Sequence, residues 1–298
     1  MSVQTGDVAG VEALPERAPL VKTALGLIRR QPLGAAGLLI VLIMLFLALF
    51  ADLIAPYDPE ANSFEFMLVP PSLDFFLGTD QFGRDIWSRI MFGARTALIV
   101  GFVAAFIGSA IGLVLGVASA YFGGRIDLFF QRVMDVFLAF PSIIMALAVV
   151  SVLGTGIQNV IIAIMLPMIP QCARVVRSSA LSIREIPYVD AARACGFSNA
   201  RIIMRHMAPN VMAPYLIMFT SFVGQAILAE ASLSYLGLGV QEPTPAWGLM
   251  LQGGAEEYAE SAPWAAIFPG LAITLAVFAF NLFGDALRDV LDPRLRSR

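Results

Sequence analysis

Long apolar runs alternate with polar segments along this chain. Six runs reach or approach the ~20 residues that a helix needs to cross a bilayer. They cover residues 33–49, 96–120, 133–153, 157–176, 211–235 and 264–283. This pattern predicts an all-α membrane protein with six transmembrane helices. The first run is longer than the ~7–15 apolar residues of a signal peptide and starts late, so we interpret it as an uncleaved first span.

The composition agrees with a membrane environment. Hydrophobic residues make up 58% of the 298 residues and charged residues 14%, against roughly 45–50% and 25% in soluble proteins. The net charge of −3 is small, and basic residues do not cluster with aromatic ones as they do in nucleic-acid-binding proteins. We therefore expect a lipid bilayer and no nucleic acid around this chain.

Glycine and proline positions predict how the helices pack and bend. Glycines at four-residue spacing in the second run allow close helix packing. They are Gly108, Gly112 and Gly116. Pro141 is expected to kink the third span, and Pro167 and Pro170 to bend or partly unwind the fourth. Between residues 79 and 95, apolar side chains at helical spacing predict an amphipathic helix on the bilayer surface.

Basic residues predict the orientation, because Lys and Arg near span ends favour the cytoplasmic side. If the N-terminus is inside, 16 of the 19 Lys and Arg residues fall in inner segments. The other three are Arg84, Arg89 and Arg95, in the first long loop. We therefore expect a cytoplasmic arm at 1–32 and a single transmembrane domain at 33–298, with both termini cytoplasmic. The expected long loops are external at 52–95 and 236–263 and cytoplasmic at 177–210.

The chain lacks the groups that catalysis or independent ATP hydrolysis requires. A phosphate-binding loop needs glycines followed by Lys-Ser/Thr, and the one lysine, Lys22, follows a valine. His206 is the sole histidine, and Cys172 and Cys195 are the only cysteines. Histidine-based zinc sites and thiolate metal sites are therefore not expected. We predict no catalytic residue, no metal site and no cofactor bound by this chain.

Polar residues in the fifth span are candidates for a translocation path or gate. They are Glu230, Ser234, Tyr235 and Gln225. Glu230 is costly in lipid and should face the protein interior or water. A helix-end carboxylate bonded to neighbouring backbone explains Glu230 equally well. An ion-coupled carrier working alone should show paired ionisable residues at mid-membrane, and an intramembrane enzyme a nucleophile with a base or metal; only Glu230 approaches either.

The polar stretch at 186–210 predicts two short helices joined by a hinge. Asp190 places a carboxylate where the helix dipole favours it, and Gly196 is expected to end the first helix through positive φ. Ser198 can cap a second helix, which Pro209 should stop. Small side chains that would let a partner surface approach closely are those of Ala191, Ala192 and Ala194. An ordinary solvated connector between two spans is the alternative.

This stretch resembles the EAA loop of binding-protein-dependent ABC importer permeases. The family motif is Glu-Ala-Ala, three residues, Gly, nine residues, Ile, one residue and Leu-Pro. The matching residues at the same spacing are Asp190, Ala191, Ala192, Gly196 and Pro209. Asp replaces Glu, and His206 and Ala208 replace Ile and Leu. The resemblance implies a coupling helix that docks on a separate ATPase subunit, with Arg193 and Asn210 in the same loop.

Three further strings resemble the dipeptide/oligopeptide/nickel permease group: LGTDQFGRDIWSRIMFGART, EASLSYLGLGVQEPTPAW and GDALRDVLDPRLR. The resemblance implies the six-span core of type I importers, in the bacterial cytoplasmic membrane. It also implies a homologous permease subunit, two ATPase subunits that bind ATP and Mg, and an external substrate-binding protein as partners. Dipeptides or oligopeptides are the expected cargo, with nickel chelates, opines or oligosaccharides as alternatives.

Overall fold

The computed structural model describes residues 31–291, whose regular structure is helical. The predicted arm at 1–32, except its last two residues, and the end of the string GDALRDVLDPRLR lie outside the described residues. The helices in chain order are α1 (Pro32–Ile54), α2 (Ile86–Phe122), α3 (Gly124–Leu138), α4 (Ser142–Leu153), α5 (Ile157–Arg184), α6 (Pro187–Ala194), α7 (Met212–Tyr235), α8 (Trp247–Glu256) and α9 (Trp264–Leu291). A 3-10 turn at Phe64–Phe66 lies in the loop after α1.

The chain between α6 and α7 is irregular but helical. It consists of α-helical Asn199–Arg201, π-helical Ile202–Met207 and 3-10 helical Ala208–Val211. The sequence predicted that Pro209 would stop the second loop helix. This prediction is wrong, because the helical segment continues through Pro209. A proline is tolerated in the first positions of a helical turn, where its missing N–H is not needed. The segment continues directly into α7.

Five helical stretches within the described residues are long and apolar enough to cross a bilayer. They are α1, α2, α5, α9 and the continuous stretch at 199–235 that ends in α7. Helices α3 and α4 meet at 86° and make a sixth span only if taken together. The predicted all-α membrane fold is thus confirmed. The bend expected at Pro141 is confirmed too, because that residue immediately precedes α4.

Helix α2 begins ten residues earlier than predicted and absorbs the sequence assigned to a surface helix. The prediction of an amphipathic helix on the bilayer surface is therefore wrong. Its apolar side chains Ile86 and Met91 are buried within the chain, and so is Arg89. A surface helix would leave that arginine in water. Here partners from distant loops surround it, and α2 continues unbroken for 37 residues, about 55 Å at 1.5 Å per residue.

Helix α5 stays continuous through Pro167 and Pro170, so the predicted unwinding does not occur. Both prolines are buried by neighbouring helices. Each removes one intrahelical hydrogen bond, but spanning helices tolerate this loss where neighbours pack around the site. Helix packing therefore preserves the helix where the local sequence disfavours it.

The core forms where α2 packs along α5, and the predicted glycine face mediates this contact. A Cβ atom on Gly112 would lie 2.6 Å from the Cβ of Cys172, and one on Gly116 would lie 2.6 Å from the carbonyl oxygen of Ala173. Backbones can approach this closely only when the side chains between them are missing. Helices α7 and α9 complete the core, with Phe222 and Ala276 buried, and α1 packs against α9 at the edge.

Candidate coupling segment and translocation path

The coupling segment, residues 186–210, begins with helix α6. Ile186 is extended at its N-cap, and Pro187 occupies the first turn, where its fixed φ suits a helix. Asp190 lies in the first turn and Arg193 in the last, as the helix dipole favours. Their side chains form an exposed ion pair at 3.0 Å between Nη1 and Oδ1.

Gly196 ends α6 with φ +75, which confirms the predicted turn. The Phe197 N–H donates to the Ala192 carbonyl at 3.2 Å, and the Gly196 N–H donates to the Arg193 carbonyl at 2.9 Å. This pair of bonds is a Schellman motif, which requires positive φ at the residue after the cap. No atom lies within 4 Å of a Cβ built on Gly196. Backbone conformation alone therefore demands glycine here.

Ser198 caps the irregular segment that follows, as predicted. Its hydroxyl accepts from the Arg201 N–H at 3.4 Å. The His206 carbonyl accepts from both the Tyr188 hydroxyl, at 2.9 Å, and the Asn210 amide, at 2.6 Å. These bonds hold α6 against the second half of the segment, so the two halves form one unit.

One face of the coupling segment is buried within this chain. Val189 and Ala192 on α6 pack into the same core as Ile202 and Met207. Ala192 is 6% exposed, so its side chain packs between α6 and the rest of this chain. The expectation that a partner would approach Ala192 directly is corrected by this placement. On α6, Asp190, Ala191 and Ala194 are exposed.

The opposite face of the segment exposes apolar side chains to solvent. They are Ile186, Tyr188, Phe197 and Met204, the last 62% exposed. The Phe197 ring stacks on the His206 ring with centroids 5.7 Å apart. Exposing large apolar side chains to water does not stabilise the protein. Clustered exposed apolar side chains therefore mark interaction surfaces.

The coupling segment is joined to the far end of α2. The Tyr121 hydroxyl donates to Asn199 Oδ1 at 2.8 Å, and the Arg193 guanidinium lies 4.8 Å above the Tyr121 ring. Arg184, at the end of α5, donates to the Ala120 carbonyl at 3.1 Å. A displacement of the segment would therefore move α2 and α5, and it would move α7 through the continuous chain.

The four path candidates do not form one cluster. Glu230 and Ser234 are both buried, and the Ser234 hydroxyl donates to Glu230 Oε1 at 2.7 Å. The same hydroxyl accepts from the Val240 N–H at 3.1 Å, which links α7 to the loop beyond it. Tyr235 is half-buried one residue later, whereas Gln225 is exposed at the middle of α7.

A buried ionic cluster at the other end of the bundle was missed from the sequence. We call the two segments that build it, residues 55–89 and 236–263, the cap. Arg84 bonds both oxygens of Glu242, at 2.6 and 3.1 Å, and its Nε bonds Asp80 at 2.7 Å. Arg89, fully buried, contacts the same two carboxylates and donates to the Pro59 carbonyl at 2.8 Å.

Local spacing could have revealed half of this cluster. Asp80 and Arg84 are four residues apart, but Glu242 joins them from 158 positions away, which no local pattern reveals. Burial raises the pKa of Glu242, but the Arg84 hydrogen bonds and the positive charges of Arg89 and Arg84 outweigh it and lower the pKa below its ordinary value. The Trp264 indole N–H also donates to the Thr79 carbonyl at 3.3 Å, which fastens the cap to the start of α9.

These observations define a class: a multi-pass helical membrane protein with a closed cap at one end and a projecting, partly apolar helical segment at the other. The chain belongs to the family described as binding-protein-dependent transport system inner membrane component, which matches residues 108–297. Residues 21–71 match the N-terminal transmembrane domain of oligopeptide transport permease C. The family resemblance predicted from the motifs is thereby confirmed.

Relatives agree with this membership, and a solved structure agrees with the fold. A putative peptide transport system permease protein from Brucella suis is 44% identical over 280 residues, 94% of each chain. The glutathione transport system permease protein GsiD of Escherichia coli O157:H7 is 45% identical over 271 residues, covering 90% of this chain and 89% of GsiD. The inward-facing MetNI methionine ABC transporter aligns with a TM-score of 0.56 at 19% identity, over 70% of this chain and 98% of that one; it supports the fold.

Proposed function

We propose that this chain is the permease subunit of an ATP-driven importer of dipeptides or oligopeptides in a bacterial cytoplasmic membrane. Its partners would be a homologous permease subunit, two ATPase subunits that bind ATP and Mg, and an external substrate-binding protein. The observation that carries the proposal is the coupling segment, which exposes apolar side chains on one face and is bonded to the spanning helices on the other.

The proposed mechanism follows from these attachments. ATP binding closes the two ATPase subunits, and the docked coupling segment moves with them. Because the segment contacts α2 through Tyr121 and continues into α7, its movement tilts the spanning helices and exposes the path to the other side of the membrane. The chain itself performs no chemistry in this scheme; it converts a displacement at one end into alternating access.

The test of docking compares two neighbouring alanines. Ala191→Trp adds bulk on the exposed face of α6 and should leave the permease stable in the membrane, but it should reduce the ATPase content of the purified complex and peptide uptake into proteoliposomes. Ala192→Trp adds the same bulk inside this chain, where overpacking costs roughly 1–3 kcal/mol, so it should lower the stability of the permease itself.

Ala61→Trp is the matched control, since Ala61 is exposed in the cap at the opposite end. It should retain wild-type ATPase content. If Ala191→Trp also keeps wild-type ATPase content and uptake, the segment is a connector and the docking proposal is wrong. Uptake that continues without ATP but depends on an ion gradient would favour a carrier that works alone.

Glu230 and Ser234 are proposed as part of the gate. The buried hydrogen bond between them joins α7 to the loop at Val240, so a change here would alter how α7 moves against the cap. Glu230→Gln keeps the shape and should change the uptake rate while ATPase content stays normal. Normal uptake by this variant would indicate a purely structural carboxylate.

Peptide cargo is proposed from the names of the relatives. The discriminating measurement is competition: unlabelled dipeptides and oligopeptides should inhibit uptake of a labelled peptide by the complete complex. Inhibition by nickel chelates, opines or oligosaccharides and not by peptides would reassign the cargo.

A further inference from the structure

Two amide side chains meet at one cavity in the middle of the spanning helices. Gln171 lies halfway along α5, and Gln225 lies halfway along α7. Together with Ser142, at the start of α4, they line a cavity of about 70 Å³. The remaining wall is apolar, with Pro167 and Met168 from α5. Three helices that are distant in sequence thus bring polar groups to one point at mid-membrane depth.

These amides differ from several hydroxyl side chains of the spanning helices. Three such hydroxyls donate to a carbonyl of the preceding turn: Ser151 to Leu147, Ser221 to Ile217 and Thr274 to Gly270. Neither Gln171 nor Gln225 is satisfied in this way within residues 31–291. A polar group at this depth should face protein or water and not lipid, so the exposed side of Gln225 faces a partner surface or an aqueous path.

We infer that Gln171, Gln225 and Ser142 form a subsite that hydrogen-bonds the main chain of the transported peptide. This inference rests on the proposed function. An amide side chain offers both N–H donors and a carbonyl acceptor, which complement the two halves of a peptide bond. None of the three residues carries a charge, so the subsite would recognise peptides without regard to side-chain charge.

The size of the cavity agrees with this role. A volume of about 70 Å³ exceeds the roughly 10–15 Å³ that a single water requires, so the cavity can admit one main-chain amide group. The peptide would therefore pass the subsite one main-chain group at a time. Its amide groups would exchange the hydrogen bonds they lose with water for bonds to Gln171 and Gln225.

The experiment removes the two amide side chains from the permease and, separately, a main-chain N–H donor from the transported peptide. The complete complex is reconstituted with its binding protein at saturating concentration, and uptake of a tripeptide is compared with that of its backbone N-methylated analogue. In the wild type, N-methylation should raise the KM for uptake. In the Gln171→Leu/Gln225→Leu variant, the KM for the tripeptide should rise on the order of tenfold, as expected for two lost hydrogen bonds, and the penalty for N-methylation should shrink.

Any preference of the binding protein cancels in this comparison, because the same binding protein serves both variants. Asn281→Leu is the matched control: Asn281 is an exposed amide in α9 that does not line the cavity, and this variant should behave as wild type. If the double variant assembles poorly, Gln225→Leu alone should show a smaller rise in KM in the same direction.

The inference is overturned if the leucine variants keep the wild-type KM and the full N-methylation penalty while the complex still transports peptide. That result would leave the proposed function intact. A wild-type complex that takes up no peptide at all, although Ala191→Trp still lowers its ATPase content, would instead overturn the peptide cargo and keep the coupling role.

Discussion

The cap and the coupling segment, the two polar ends of the helix bundle, handle charged and apolar side chains in opposite ways. In the cap, Arg84 and Arg89 are buried and share the carboxylates of Asp80 and Glu242. In the coupling segment, the Asp190–Arg193 pair lies in solvent, and Tyr188 and Met204 are exposed instead. The cap pairs its buried arginines with carboxylates of its own, whereas the coupling segment leaves an apolar face uncovered.

This difference indicates what each end contributes to stability. A buried ion pair is strongly destabilised when one partner is removed, because an uncompensated charge stays behind. An exposed pair contributes little, since water screens it. Changes in the cap should therefore reduce the stability of this chain, while changes on the exposed face of the coupling segment should reduce its association with partners. Four experiments test this contrast, from the largest expected effect to the smallest.

Arg89→Met should have the largest effect. It removes the most buried cation of the cap and leaves Asp80 and Glu242 with one positive partner instead of two, at a cost of about 3–5 kcal/mol for breaking a buried pair. The measurement is the temperature at which the folded protein in detergent is lost. Arg95→Met is the matched control, because the Arg95–Asp52 pair is 36% and 66% exposed and water screens such pairs, so its loss should change the stability little. Equal losses in both variants would refute the contrast.

Gly196→Val and Gly237→Val change the same helix-ending motif, once in the coupling segment and once in the cap. Gly237 ends α7 with φ +72, and the Leu238 N–H donates to the Leu233 carbonyl at 2.9 Å, as in the Schellman motif of α6. No atom lies within 4 Å of a Cβ built on either glycine. Each substitution should therefore cost a similar amount, about 1–2 kcal/mol for a left-handed residue.

The two valine variants should differ in their partners. Only Gly196→Val distorts the coupling segment, so only this variant should lose ATPase subunits when the complex is purified from membranes. ATPase subunits lost equally from both variants would mean that general destabilisation, and not docking, explains the result.

Asp190→Ala should have a small effect on stability, below about 1 kcal/mol, because its ion pair with Arg193 is exposed. The thermal stability of the isolated permease measures this effect. A loss as large as that of Arg89→Met would show that the coupling segment also depends on its charges, and the contrast between the two ends would be lost.

Acidification should weaken the ionic cluster of the cap, and only below neutral pH. The folded-state pKa of Glu242 is lowered from its ordinary value of 4.5. Its charged form therefore contributes stability that is fully present above about pH 4.5 and is lost as the pH falls through the lowered pKa. Thermal stability measured between neutral and acid pH should show this loss in the wild type and less of it in Glu242→Gln. An equal acid dependence in both would assign the loss to other carboxylates.

Local rules were sufficient for several features of the fold and the coupling segment. The spanning helices follow from long apolar runs, the turn at Gly196 from the freedom of glycine at positive φ, and the break before α4 from Pro141. The face of α2 that permits close helix packing follows from glycines spaced every fourth residue. In each case the energetic cause lies within a few residues of the effect, so the amino-acid sequence by itself determined the outcome.

Other features required the tertiary structure, because their partners are distant in the chain. Arg89 can be buried at the start of α2 only because Glu242 and the Pro59 carbonyl contact its guanidinium group there. Ala192 belongs to the spacing of the coupling motif, yet packing turns it inward. The sequence marked Gln225 as a candidate for the path but gave no sign that Gln171 would share a cavity with it; the two meet only because α5 and α7 pack together. Burying a charge or an amide depends on groups supplied from elsewhere in the chain, and the folded arrangement alone decides which groups arrive.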